Sequence, residues 1–139
     1  MGEKIVNILI VDDEKMSRMT LESIFSGYGT CKSFESGKMA VKSFISCLET
    51  KEKFDLVILD IFLENENGVD ILRLIRLYEK VMGITQADRA IIFMATSNTD
   101  MDVVKECIKE GCNDYLVKPL TSKVIVVKMA KYHMTPLSI

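Results

Sequence analysis

Ile8-Leu9-Ile10-Val11-Asp12-Asp13 decides the reading of this chain, and Leu56-Val57-Ile58-Leu59-Asp60 repeats its form. Each is a continuous apolar run that stops at acid. An unbroken run of that length reads as a strand buried on both faces, as in a parallel sheet. Strands of such a sheet end at a common edge, and ligands bind outside their carboxyl ends. Asp12, Asp13 and Asp60 therefore meet at one rim. Three carboxylates together repel each other, so the cluster needs a cation or a shifted pKa. Oxygen-only ligation at a partly hydrated site suits Mg2+, with Mn2+ as the alternative. The first expectation is a small acidic metal pocket on an α/β scaffold.

Composition narrows the class. A chain of 139 residues with 48% hydrophobic content fits one domain spanning 1–139. A formal net charge of −2 gives no global pull toward nucleic acid or an anionic membrane. No apolar stretch is long enough to span a bilayer. Met1-Gly2-Glu3-Lys4 lacks the basic and apolar regions of a signal peptide, and Val6 stands where a myristoylation signal wants serine or threonine. Cys31, Cys47, Cys107 and Cys112 match neither a zinc site nor a CxxC pair, so they read as thiols of a reducing cytoplasm. The only histidine, His133, reads as a solvent-facing residue of the last helix. The nine methionines read as adaptable core filling.

Five apolar runs recur, over 5–11, 30–34, 56–60, 90–96 and 114–117. Helical patterns separate them, over 15–26, 37–50, 69–82 and 101–109, with a last one over 122–133 and a short tail over 134–139. Strict strand–helix alternation implies a parallel sheet covered on both faces by right-handed crossovers. Asp12 or Asp13 is placed to cap the first helix, and Gly27 and Gly29 to end it. Ser36 precedes the second helix as a cap, Asn67-Gly68 marks the turn before the third, and Gly111 stops the fourth. Val124-Ile125-Val126-Val127 is β-branched and reads locally as strand. Thr121 or Ser122 can cap it, and the alternation asks for a closing helix.

The fourth run ends at Thr96-Ser97 and the fifth at Tyr115-Leu116-Val117-Lys118-Pro119, beside the aspartates. Proline biases Lys118 toward an extended backbone, which projects its ammonium over the sheet edge. A carboxylate is a competent nucleophile toward phosphorus. A transferring phosphoryl group spreads charge over its oxygens and needs cationic partners. A metal ion, Lys118, and the Thr96 hydroxyl with nearby amides would supply them. Covalent phosphorylation of Asp60 is the economical reading.

Asp12-Asp13, Asp60, Asn67-Gly68, Thr96, Tyr115 and Lys118-Pro119, in this order and over nearly the whole chain, make it resemble the response-regulator receiver family. The resemblance implies a flavodoxin-like (βα)5 doubly wound sandwich with strand order 2-1-3-4-5. It implies a cytoplasmic module that takes phosphate from a histidine kinase or histidine phosphotransfer protein and catalyses only its own phosphorylation and dephosphorylation. It implies Asp60 as phosphoacceptor; Asp13, Asp60 and the Phe62 backbone carbonyl as direct Mg2+ ligands; and Asp12 acting mostly through water. Thr96 and Tyr115 would form the switch. A face made by the fourth helix, fifth strand and fifth helix, carrying Lys123, Lys128 and Lys131, would bind a downstream protein, an output domain or a second copy. One helix and a tail follow Lys118, so no DNA-binding or catalytic output domain is expected within this chain.

The sequence departs from the family pattern at Leu63-Glu64, where Met-Pro is usual. Without proline the loop 62–67 has an additional N–H and more freedom, and Glu64 and Glu66 add negative charge near the pocket. Phe62 and Asn98, two residues beyond Asp60 and Thr96, occupy positions that in the family influence access of water to the acyl phosphate. Two other classes share the scaffold. An aspartate-nucleophile phosphatase needs a second aspartate where Phe62 stands. A flavodoxin-like flavin binder needs a glycine- and hydroxyl-rich loop where Val11-Asp12-Asp13-Glu14 presents acid.

Overall fold

The computed structural model describes residues 5–97 and 100–138. Residues 1–4, read above for a leader, lie outside this range, as do Asn98 and the last residue of the tail. Five strands alternate with five helices: β1 (Val6–Val11), α1 (Lys15–Phe25), β2 (Gly29–Phe34), α2 (Gly37–Cys47), β3 (Leu56–Asp60), α3 (Gly68–Val81), β4 (Ile91–Thr96), α4 (Met101–Lys109), β5 (Asp114–Val117) and α5 (Ser122–Lys131). One 3-10 turn, Gln86–Asp88, precedes β4. The sheet is parallel throughout, in the order β2-β1-β3-β4-β5, as expected for the flavodoxin-like sandwich.

Alternation along the central strands divides the core. Leu9, Val11, Val57 and Leu59 point to the side covered by α2, α3 and α4, where they meet Phe44 and Leu72. Ile8, Ile10 and Ile58 point to the other side, where Phe25 of α1 and Ile125 and Met129 of α5 cover them. β3 is buried at all five positions, as the unbroken apolar run requires. Each such side chain contributes about 1.5–3 kcal/mol by leaving water.

Local signals succeed where the side chain has one obvious partner. Ser36 accepts from Met39 N–H to cap α2, and Asn67 accepts from Val69 N–H to cap α3. Thr121 accepts from Val124 N–H and starts α5, so the β-branched run is helical. Only Ile125 and Met129, one turn apart, are buried in it, and Val124, Val126 and Val127 face solvent. Burying that one stripe outweighs the weak strand propensity. Gly111, at φ 102°, stops α4 as expected.

α1 ends at Phe25 with Ser26 as its cap, directly before Gly27, as expected. Three expectations are corrected. Glu14 holds the cap position of α1, because Asp12 and Asp13 are drawn into the pocket described below. Gly29 opens β2, where an added Cβ would lie 1.9 Å from the Val6 carbonyl oxygen. The absent side chain thus serves the approach of β2 to β1 rather than a helix end. α5 ends at Lys131, so exposed His133 follows the helix in the left-handed region at φ 63°. The four cysteines are free; burial pushes the Cys31 thiol up to about 11 and the Cys112 thiol up to about 12. Among the described residues no helix is long and apolar enough to cross a membrane.

Candidate functional site

The register of the sheet builds the pocket. Val11 pairs with Leu59 and Asp60 with Ala95, so β1 and β3 deliver their terminal acids to the same rim. Asp12, Asp13 and Asp60 each offer a carboxylate oxygen within 4.8 Å of the others. Asp12 is fully buried, Asp60 nearly so, and Asp13 is half-buried and open to water. Thr96 closes β4 beside them and is 1% exposed. Lys118 arrives from the end of β5, its N–H donating to the Thr96 carbonyl at 2.8 Å.

Lys118 Nζ donates to Asp12 Oδ2 at 2.7 Å and to Asp60 Oδ2 at 3.1 Å. Asp12 also accepts from the Glu14 N–H at 3.0 Å and from the Ser17 hydroxyl, and its carbonyl accepts from Arg18 Nη1 at 2.9 Å. Asp60 Oδ1 accepts from the Phe62 N–H at 3.1 Å, and Asp13 Oδ2 from the Glu64 N–H at 2.5 Å. Ser17 and Arg18 were not singled out in the sequence. Their signal is position alone, on the first turn of the helix that follows the acid pair.

Burial raises the Asp60 carboxyl above its ordinary value; the Asp12 charge adds to this, and the Lys118 charge and hydrogen bond and the Phe62 N–H oppose it. Burial works against the Lys118 ammonium, yet the hydrogen bond to Asp12 and the charges of Asp60 and Asp12 outweigh it and raise its pKa. Three carboxylates against one ammonium leave an excess of negative charge when all are ionised. The donors are oxygens only, and Asp13 leaves one side open to water. That donor chemistry fits Mg2+.

The remaining candidates fall into two groups. Phe62 meets the pocket through its backbone N–H, the residue is 51% exposed, and its segment is tied by a bridge to Asn67. Tyr115 is half-buried beside the α2–α3–α4 core, with Lys128 Nζ 5.3 Å from its ring centroid. Glu64 contributes its amide to Asp13. The Glu66 carboxylate is engaged at the start of α2, where it accepts from the Gly37 and Lys38 N–H groups at 2.8 and 2.9 Å. These bonds, with Leu63 buried, fix the loop that the missing proline was expected to leave free.

A doubly wound sheet with an acid cluster and a lysine at its carboxyl edge defines a class of phosphate-handling signalling domains. The chain belongs to the response regulator receiver domain family, whose profile matches residues 8–130. It is 32% identical over 127 residues to the chemotaxis protein CheY of Thermotoga maritima, covering 89% of this chain and 94% of that one. Its fold superimposes on CheY in the CheX–CheY–BeF3–Mg2+ complex of Borrelia burgdorferi with TM-score 0.75 and 27% identity, covering 91% and 89% of the two chains. It also superimposes on the receiver domain of Ssk1 bound to the phosphotransfer protein Ypd1 of Saccharomyces cerevisiae, with TM-score 0.78 and 25% identity, covering 92% and 88%. The chain spans only 30% and 52% of the length of two other curated relatives it matches.

Proposed function

We propose that this chain is a single receiver unit that accepts a phosphoryl group on Asp60 from a histidine kinase or histidine phosphotransfer protein. The observation that carries the reading is Lys118 Nζ bridging Asp12 and Asp60, with Asp13 completing the acid cluster. Asp13, Asp60 and the Phe62 carbonyl would hold Mg2+ directly, and Asp12 mostly through water. When bound, the metal offsets the charge of the carboxylates and of the incoming phosphoryl group.

The chain's own residues supply the rest. A carboxylate oxygen of Asp60 attacks phosphorus, the donor's P–N bond breaks, and the departing imidazole keeps that electron pair. Lys118 is placed to neutralise a phosphoryl oxygen as the new P–O bond forms. The Thr96 hydroxyl would bind another oxygen, and the Tyr115 ring would turn inward behind it. That movement biases a face formed by α4, β5 and α5 toward a downstream protein, an output domain or a second copy. The chain acts as a cytoplasmic signalling module, without direct nucleic-acid or membrane binding, and turns over only its own acyl phosphate.

Incubation with a small acyl phosphate donor and Mg2+, followed by intact mass, tests this. One phosphoryl adduct is expected, dependent on Mg2+ and lost in Asp60→Asn. No adduct on the wild-type chain overturns the reading.

A further inference from the structure

The loop between β3 and α3 carries Phe62 and Glu64, both of which face the acid cluster through their backbones. Glu64 occupies the place where a proline would stiffen the chain. Stiffness comes instead from across the molecule. Glu66, 29 residues from Gly37 in sequence, spreads its two carboxylate oxygens over the Gly37 and Lys38 N–H groups. Ser36 takes the next first-turn donor, its hydroxyl accepting from Met39 N–H at 3.3 Å, and the Ala40 N–H then opens the helix ladder on the Ser36 carbonyl at 3.1 Å. Three N–H groups that a helix start leaves open, those of Gly37, Lys38 and Met39, are thereby satisfied, two of them by a residue of another loop. A carboxylate at that end also meets the positive pole of the helix.

Gly37 makes the contact sterically feasible. An added Cβ there would lie 3.2 Å from Glu66 Oε2 and 2.6 Å from Ile71 Cγ1. α2 is itself anchored by Ala40, Val41 and Phe44 in the core, so the far end of the clamp is fixed. Asn67, next to Glu66, bridges back to Phe62, and the Glu64 N–H reaches Asp13. The clamp is thus connected by hydrogen bonds to both sides of the acid cluster.

We propose that Glu66 is a positioning residue for the acidic pocket: by gripping the start of α2 it holds the 62–67 loop so that the Phe62 and Glu64 N–H groups stay on Asp60 and Asp13. This rests on the reading of the pocket as a Mg2+-dependent phosphoacceptor site. The carboxylate acts through the backbone geometry of its loop and touches neither cation nor phosphoryl group.

Amide hydrogen exchange and Mg2+ titration calorimetry on the full chain test it, with Glu66→Ala, Glu66→Asp and Ser36→Ala. Loss of two bonds to a charged acceptor should speed exchange at residues 62–66 by about tenfold and weaken Mg2+ binding by about fivefold in Glu66→Ala. Glu66→Asp keeps the charge but is one methylene too short, and should behave like Glu66→Ala. Ser36→Ala should loosen only the first turn of α2, leaving loop exchange and Mg2+ affinity within about twofold of wild type. Three results overturn the clamp: unchanged loop exchange in Glu66→Ala, wild-type Mg2+ affinity in Glu66→Asp, or the same losses in Ser36→Ala. A wild-type chain that binds no Mg2+ refutes the reading of the pocket instead, and the exchange comparison then decides the clamp on its own.

Discussion

Replacing Lys118 by methionine should destabilise the metal-free protein, and acid should repair it. The substitution keeps the length and apolar stem of the side chain but removes the ammonium that lies 2.7 Å from Asp12 and 3.1 Å from Asp60. Asp12 is fully buried, so it cannot recover its lost partner from solvent. Breaking a buried pair by deleting one member costs about 3–5 kcal/mol. Lys118 keeps some exposure, and Ser17 and the Glu14 N–H still hold Asp12, so the lower part of that range, about 3 kcal/mol, applies. For a domain of this size that corresponds to a fall in Tm of about 10 °C in chelator at pH 7.

The pH dependence follows from Asp60. Burial raises its carboxyl already in the wild-type chain, so the folded state holds that proton more tightly than the unfolded state. Such a group makes stability rise as pH falls through its folded pKa. Lys118→Met removes the main opposing charge and strengthens the effect. The deficit should therefore shrink as pH is lowered from 7, and Mg2+ at pH 7 should recover part of it. Thermal unfolding in chelator, repeated across pH and with added Mg2+, measures all three. An unchanged Tm at pH 7, or a deficit that stays constant on acidification, refutes the assignment of buried charge repulsion to this pocket.

Phe62→Asn should shorten the lifetime of the phosphorylated chain, because it removes a bulky side chain two residues beyond Asp60; an unchanged or longer lifetime on removal of the donor contradicts a shielding role. Gly68→Ala places a Cβ 2.2 Å from the Asp60 carbonyl oxygen and 2.7 Å from Ile61 Cα, so overpacking should cost about 2–3 kcal/mol in urea unfolding and slow phosphoryl uptake; near-wild-type behaviour in both would show that the backbone moves freely there. At Asp114 burial opposes ionisation, but hydrogen bonds from Lys128, the Tyr115 N–H and Lys131 outweigh it and lower the pKa. Its stabilisation is present at neutral pH and lost as pH falls through that lowered value, so the difference between wild type and Asp114→Asn, about 1–2 kcal/mol at pH 7, should shrink in denaturant melts as the pH is taken down into the acid range.

The strands and the main acid cluster were legible because each depends on short-range pattern, whereas the strand order came from the family resemblance. Ile8–Val11 and Leu56–Leu59 have no polar face, which only a doubly covered sheet accommodates, and acids at their ends must share a rim. Lys118 was readable because proline follows it. Elements that depend on tertiary partners were not readable. Glu66 looks like one more acid near a pocket until α2 is packed beside its loop. Glu79 lies on α3 among residues that read as solvated, yet it is fully buried. There it accepts from Ala90 N–H at 2.7 Å and from Arg76 Nη1 at 2.8 Å, satisfying the entry into β4. No local spacing announces that need. The cap of α1 was misplaced for a related reason: Asp12 has two candidate tasks in sequence, and Lys118, far along the chain, decides between them.

The central claim is that the reactive oxygen belongs to Asp60 and to none of its neighbours. Hydride reduction of the phosphorylated chain converts an acyl phosphate to an alcohol, and peptide mass spectrometry then reads the modified position. Reduction at residue 60 alone, absent without Mg2+, is the predicted result; reduction at Asp12 or Asp13, or at a residue outside this rim, would contradict it.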